Sequence, residues 1–149
     1  MKQKKIVVVG SINQDLVASV ARMPLVGETI MGQQFATYSG GKGANQAVCA
    51  ARLGGDVSMV GRLGHDSFAV ELRERLQDAG VHTSSVKNVP GPSGTAVILV
   101  TSDGSNSIIV IPGANASLRP EDLNQYENLF QDAAIILSQL EIPLETVEA

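Results

Sequence analysis

The sequence predicts an α/β fold, a three-layer, mainly parallel sheet that carries a small antiparallel β lid. Three observations predict it. Ile6-Val7-Val8-Val9 is an unbroken β-branched run ending at Gly10, the pattern of a strand covered on both faces. Strand and helix patterns then alternate, which indicates right-handed βαβ units. Between them stand short strands too close together for helical crossovers, and such strands pair antiparallel.

The elements follow in order. Residues 16–20, 29–31 and 35–39 read as short strands separated by Pro24 and Gly27. Behind the glycine-rich turn at 39–43, Ala44, Ala47, Val48 and Ala51 recur at i, i+3, i+4 and i+7, one apolar helical face that Gly54 and Gly55 end. Residues 57–60 form the next core strand. Asp66 is placed to cap a helix that turns Phe68, Leu72, Leu76 and Ala79 inward and closes at Gly80. Residues 97–100 and 108–111 flank Ser102-Asp103-Gly104-Ser105, an Asp-Gly hairpin signal. Both arms are apolar at nearly every position, so both faces are expected to be covered, one over a ligand and the other by a second copy of the chain. Pro120, followed by Glu121 and Asp122, opens a helix through Leu123, Tyr126 and Phe130. Residues 133–137 are a further core strand, with Glu141 just past its carboxyl end. Pro143 and Glu145 start a helix that the sequence leaves after one turn, so a piece of a longer protein is expected.

Composition narrows the function. A hydrophobic fraction of 44% and mean hydropathy of +0.11 exclude a disordered chain of 149 residues, which is long enough for one cored domain. Aromatics at 3%, a net charge of −4 and a pI near 5.1 argue against nucleic acid or an anionic membrane as partner. The basic start, Met1-Lys2-Gln3-Lys4-Lys5, precedes an apolar run too short for a secretion signal, and no stretch is long enough to span a bilayer. A cytoplasmic protein is expected. The single cysteine, Cys49, has no partner and reads as a small core residue. His65 and His82 stand alone, without a second ligand at metal spacing.

The chemistry centres on Ser39-Gly40-Gly41-Lys42-Gly43-Ala44-Asn45-Gln46-Ala47. Glycines let the backbone approach a ligand closely, and the helix start behind them offers unpaired N–H groups. It is not a phosphate-binding Walker loop, which needs glycine where Ala36 stands and Ser or Thr where Gly43 stands. Nor is it the dinucleotide fingerprint, because Asn45 and Gln46 occupy its last glycine. Asn13, Asp15, Gly40, Gly41, Lys42, Asn45 and Glu141 converge on one sheet edge in this layout. Paired carboxylates and amides with one cation suit the vicinal hydroxyls of a sugar. Plain structural uses remain open for each residue: a turn cap at Asp15, a solvated charge at Lys42, a helix-start bond at Asn45.

The glycine turn with Gly54 and Gly64 at matching intervals, Gly10-Ser11-Ile12-Asn13-Gln14-Asp15, Pro112-Gly113-Ala114-Asn115-Ala116 and Gln139-Leu140-Glu141-Ile142-Pro143 resemble the ribokinase-like (PfkB) carbohydrate kinases over essentially the whole chain. The resemblance implies a Rossmann-like core with lid strands within about 13–40 and 94–112, a homodimer clasped through the lid, and ribose held by Asn13, Asp15, Gly41, Lys42, Asn45 and Glu141. It implies ATP, Mg2+ and a monovalent cation, and transfer of the γ-phosphoryl to the sugar's 5-hydroxyl in a complete relative. One departure is small: Ala69 stands where the family often has glycine. The other is decisive, because the Asp-Thr-x-Gly-Ala-Gly-Asp and Asn-x-x-Glu motifs of the catalytic base, metal and nucleotide half do not occur in this sequence. No catalytic, cofactor-binding or metal residue is therefore expected in it. Another sugar or nucleoside kinase specificity, and a non-catalytic sugar-binding or dimerisation module, remain as alternatives.

Overall fold

The computed structural model describes residues 4–149, so the Met1-Lys2-Gln3 portion of the basic start lies outside the described residues. The chain runs β1 (Lys5–Val9), β2 (Asn13–Val20), β3 (Gly32–Gly40), α1 (Lys42–Arg52), β4 (Asp56–Leu63), α2 (Ser67–Asp78), β5 (Val86–Asn88), β6 (Gly94–Thr101) and β7 (Asn106–Ile111). It continues through α3 (Pro120–Leu123), α4 (Glu127–Gln131), β8 (Ala133–Ser138) and α5 (Leu144–Glu148), with 3-10 turns at Gly113–Ser117 and Asn124–Tyr126.

Two four-stranded sheets result. The first, ordered β5-β4-β1-β8, is wholly parallel. Because side chains alternate along β1, Val8 packs with Ala44, Ala47, Leu72 and Leu76 of α1 and α2, while Val7 and Val9 pack with Leu118, Tyr126 and Ile142 on the other face. This is the three-layer core. Small residues at Gly43, Ala44 and Ala47 let α1 lie against the sheet: a Cβ on Gly43 would come within 2.7 Å of the Gly10 carbonyl carbon. Asp66 caps α2 by accepting the Ala69 N–H, and Gly80 (φ 86°) follows its end.

The second sheet is ordered β3-β2-β6-β7. Its outer pairs, β2 with β3 and β6 with β7, are antiparallel as expected, while its central pair, β2 with β6, is parallel. Both central strands rise from the carboxyl edge of the first sheet, after Ile12 and after Ser93, and so point the same way.

Some local readings are corrected. Residues 29–31 are not a strand; β3 begins at Gly32, and β2 begins earlier than expected, at Asn13. The helix expected through Leu123, Tyr126 and Phe130 is broken, with Tyr126 leaving helical geometry (φ −112°, ψ 14°). The 3-10 turn puts i and i+3 on one side, which lets Leu123 and Tyr126 enter the same core cluster. Cys49 is exposed, not core. It lies two positions beyond Ala47, about 200° round the helix from the buried stripe. β8 pairs with β1 on one side only among the described residues, and Ile135 and Ile136 are exposed.

Arg62, on β4, is buried and pairs with Asp122 of α3 at 2.9 Å, fastening α3 to the sheet.

Candidate functional site

The chain crosses between the sheets after β1, before α1, before β6 and after β7. Most of the residues singled out from the sequence gather at these crossings. Gly41 precedes α1 at φ 90°, and a Cβ there would lie 2.8 Å from both Asn13 N and Ser11 O. A side chain at Gly41 is thus excluded twice, by φ and by space. Gly41→Ala is expected to cost about 2 kcal/mol or more, read as a lowered denaturant midpoint. A Cβ on Gly40 would strike the Asp15 carboxylate, so glycine there makes room for that acid.

Glu141 is the hub. One carboxylate oxygen accepts from the Ser11 hydroxyl (2.7 Å) and the Lys42 backbone N–H (3.1 Å), and the other forms a close ion pair with the Lys42 ammonium. Burial pushes its pKa up, but the Lys42 ammonium, the Ser11 hydroxyl and the Lys42 backbone N–H together hold it below its ordinary value. Asp15 moves the other way: burial first, then the Glu141 charge, raise its pKa, and Lys42 only partly offsets them. Asp15, Lys42 and Glu141 therefore share one electrostatic neighbourhood. Register explains how β2 reaches it, since Asp15 stands opposite Ala96 and Ala96 opposite Val110, all on one face. Val110 in turn lines a cavity of about 560 Å³ with Lys42, Pro112, Leu140, Glu141 and Ile142.

Asn13 is buried on the same strand face, and its Oδ1 accepts from Asn115 Nδ2 at 2.7 Å. Asn45 sits one turn into α1, where its N–H bonds the Gly41 carbonyl (2.9 Å). Its exposed side chain lines a separate cleft of about 230 Å³ with Ser39, Gly40 and Arg52 and has no hydrogen bond among the described residues. The structure thus gathers Asn13, Asp15, Gly40, Gly41, Lys42 and Glu141, and leaves the Asn45 carboxamide at the margin.

Two site residues had been given no role from the sequence. Ser11 is fully buried and joins Glu141 to the Gly43 N–H, and Asn115 joins the last crossing to the first. Both stood inside motifs already noted, but nothing in their spacing announced a partner roughly a hundred residues away.

Fold and geometry define the class: an α/β protein with a cleft of carboxylates, an amide and a lysine between a parallel sheet and a second, mixed sheet. The chain belongs to the pfkB family carbohydrate kinases, whose model matches residues 3–149. It is 41% identical to the ribokinase of Bacillus subtilis over 146 residues, covering 97% of this chain and 50% of that protein. It is 43% identical to the deoxyribokinase of Salmonella typhimurium, covering 95% and 47% respectively. The structure of Arabidopsis thaliana ribokinase complexed with ribose and ATP superposes with a TM-score of 0.82 at 39% identity, over 99% of this chain and 50% of that one. The chain spans about half the length of the curated relatives it matches.

Proposed function

We propose that the chain forms the sugar-binding cleft of a ribokinase-type enzyme, with residues 13–40 and 94–112 as a β lid inserted in the core. The complete enzyme would transfer the γ-phosphoryl of ATP to the 5-hydroxyl of D-ribose. The convergence of Asp15, Lys42 and Glu141 beneath the second sheet carries this reading. In the cleft, ionised Asp15 and Glu141 accept hydrogen bonds from adjacent hydroxyls, while the Lys42 ammonium donates and the glycines at 40 and 41 leave room for the sugar to approach. Asn13 completes the set, and Asn45, whose carboxamide lines the neighbouring cleft, is assigned to the edge of the sugar. Similarity to a deoxyribokinase favours 2-deoxyribose as the second candidate sugar.

ATP, Mg2+ and a monovalent cation belong to the proposed complete enzyme, and no residue of this sequence is assigned to them. Phosphoryl transfer rests on positioning and charge stabilisation at the γ-phosphate. The chain by itself is thus expected to release no ADP in a coupled assay with ribose present. An NMR titration of the 149-residue chain with ribose, and in parallel with 2-deoxyribose, tests the cleft. Shifts confined to Asn13, Asp15, Gly40–Asn45 and Glu141, with affinity in the millimolar range (about −4 kcal/mol), are expected. Shifts elsewhere, or none at saturating sugar, would sink the reading.

A second copy of the chain is proposed to cover the outer face of the second sheet, in a cytoplasmic homodimer. By register that face carries Leu16, Phe35, Val97, Leu99, Ile109 and Ile111, with Ile109 65% exposed and Phe35 66%. Bare apolar strands of this kind recruit partners. Sedimentation should show a dimer that Ile109→Lys converts to a monomer; a monomeric parent would refute the pairing.

A further inference from the structure

The amide chain at the junction of the two sheets has a single consistent orientation. Ile12 N–H donates to Asn115 Oδ1 at 3.0 Å, and Ile12 C=O accepts from Asn115 Nδ2 at 3.2 Å. A backbone N–H can only donate and a carbonyl can only accept, so these two contacts fix which end of the Asn115 carboxamide is oxygen and which is nitrogen. Asn115 Nδ2 also lies 2.7 Å from the Asn13 side chain. The facing Asn13 atom must then be the oxygen, and Asn13 Nδ2 is left with no partner among the described residues. Asn115 is 1% exposed, so water cannot substitute for it. Gly94 makes the pairing possible, because a Cβ there would collide with both Asn115 Nδ2 and Asn13 Oδ1.

We infer that Asn115 is a positioning residue that sets the polarity of Asn13, so that Asn13 presents an N–H donor to the cleft and selects a ligand offering an oxygen acceptor there. The inference deepens the sugar-binding reading and rests on it for the identity of the ligand. The cleft then carries a fixed alternation: Asn13 donates, Asp15 two residues along the same strand accepts, Lys42 donates and Glu141 accepts. A polyol oxygen, which both donates and accepts, satisfies such a pattern, whereas a ligand bearing only a donor opposite Asn13 meets a donor–donor clash.

Side-chain amide hydrogen exchange, followed by NMR on the intact 149-residue chain, tests the polarity without any substitution or ligand. The Asn115 Nδ2 protons are expected to be strongly protected and those of Asn13, buried but without a partner among the described residues, markedly less so. Equal protection of the two would overturn the inference. Asn115→Asp supplies the second arm. At neutral pH its carboxylate keeps the Ile12 N–H bond but loses both donations, to the Ile12 carbonyl and to Asn13, which lowers stability; in the folded variant Asn13 reverses to donate, its amide protons become protected, and ribose affinity falls roughly tenfold or more. Asn13 protons no better protected in a folded Asn115→Asp chain than in the parent would also overturn it. Should ribose cause no shifts even in the parent chain, the sugar reading falls, and the exchange pattern alone decides the polarity.

Discussion

Asp15→Asn is expected to weaken ribose binding by about 10- to 100-fold while raising the melting temperature. The first effect is the loss of a charge-assisted acceptor, worth about 1.5–3 kcal/mol. The second follows from linkage. Asp15 has a pKa raised above 3.8 by burial and by the Glu141 charge, so its ionisation costs the folded state stability as pH climbs from 3.8 through the folded value. A neutral asparagine avoids that cost. Glu141 behaves oppositely: with its pKa held below 4.5, it contributes stability that is present above that pH and lost as pH falls through the folded value. Glu141→Gln should therefore lower the melting temperature at pH 7 and have little effect in acid. Calorimetric melts of both variants across pH, beside a ribose titration, check the pair. An Asp15→Asn chain that melts lower than its parent at pH 7 would contradict the account of Asp15 as a carboxylate whose ionisation the folded cleft disfavours.

Asp122→Ala is expected to destabilise the chain by about 3 kcal/mol, lowering the melting temperature by about 6–12 °C. The reason is the partner left behind. The Arg62 side chain is 5% exposed and pairs with Asp122 at 2.9 Å, so removing the carboxylate strands a buried guanidinium. Arg62→Met in the same chain should recover most of the loss, because replacing both charges removes the desolvation cost along with the attraction. A double variant no more stable than Asp122→Ala would show that the ion pair itself, not the stranded cation, accounts for the energy. Thermal denaturation of the two single variants and the double completes the cycle.

The local grammar of the sequence reached far. The β-branched run at 6–9, the Asp66 cap, the Gly54 and Gly80 stops and the Asp103-Gly104 turn each appear where short-range rules put them, because strand burial, capping and turn chemistry depend on neighbours within a few residues. Readings that depended on which way a residue faces fared less well. Cys49 belongs to an apolar-looking helix but points outward, and the segment from Pro120 to Gln131 trades one regular helix for a broken one so that Leu123 and Tyr126 can enter the same core cluster.

For the cleft, the sequence by itself determined the inventory: two carboxylates, two amides, a lysine and a glycine-rich turn, each at the end of a strand or the start of a helix. Only the tertiary structure decided how they are joined. That Glu141 holds Lys42 and Ser11, that Asp15 shares their field, and that Asn115 orients Asn13 all depend on pairs separated by up to 130 residues. Propensity and periodicity carry no information about such distances. The pairing comes instead from β2 and β6 rising side by side off one sheet edge, which brings the four crossings, and the polar groups they carry, to the same place.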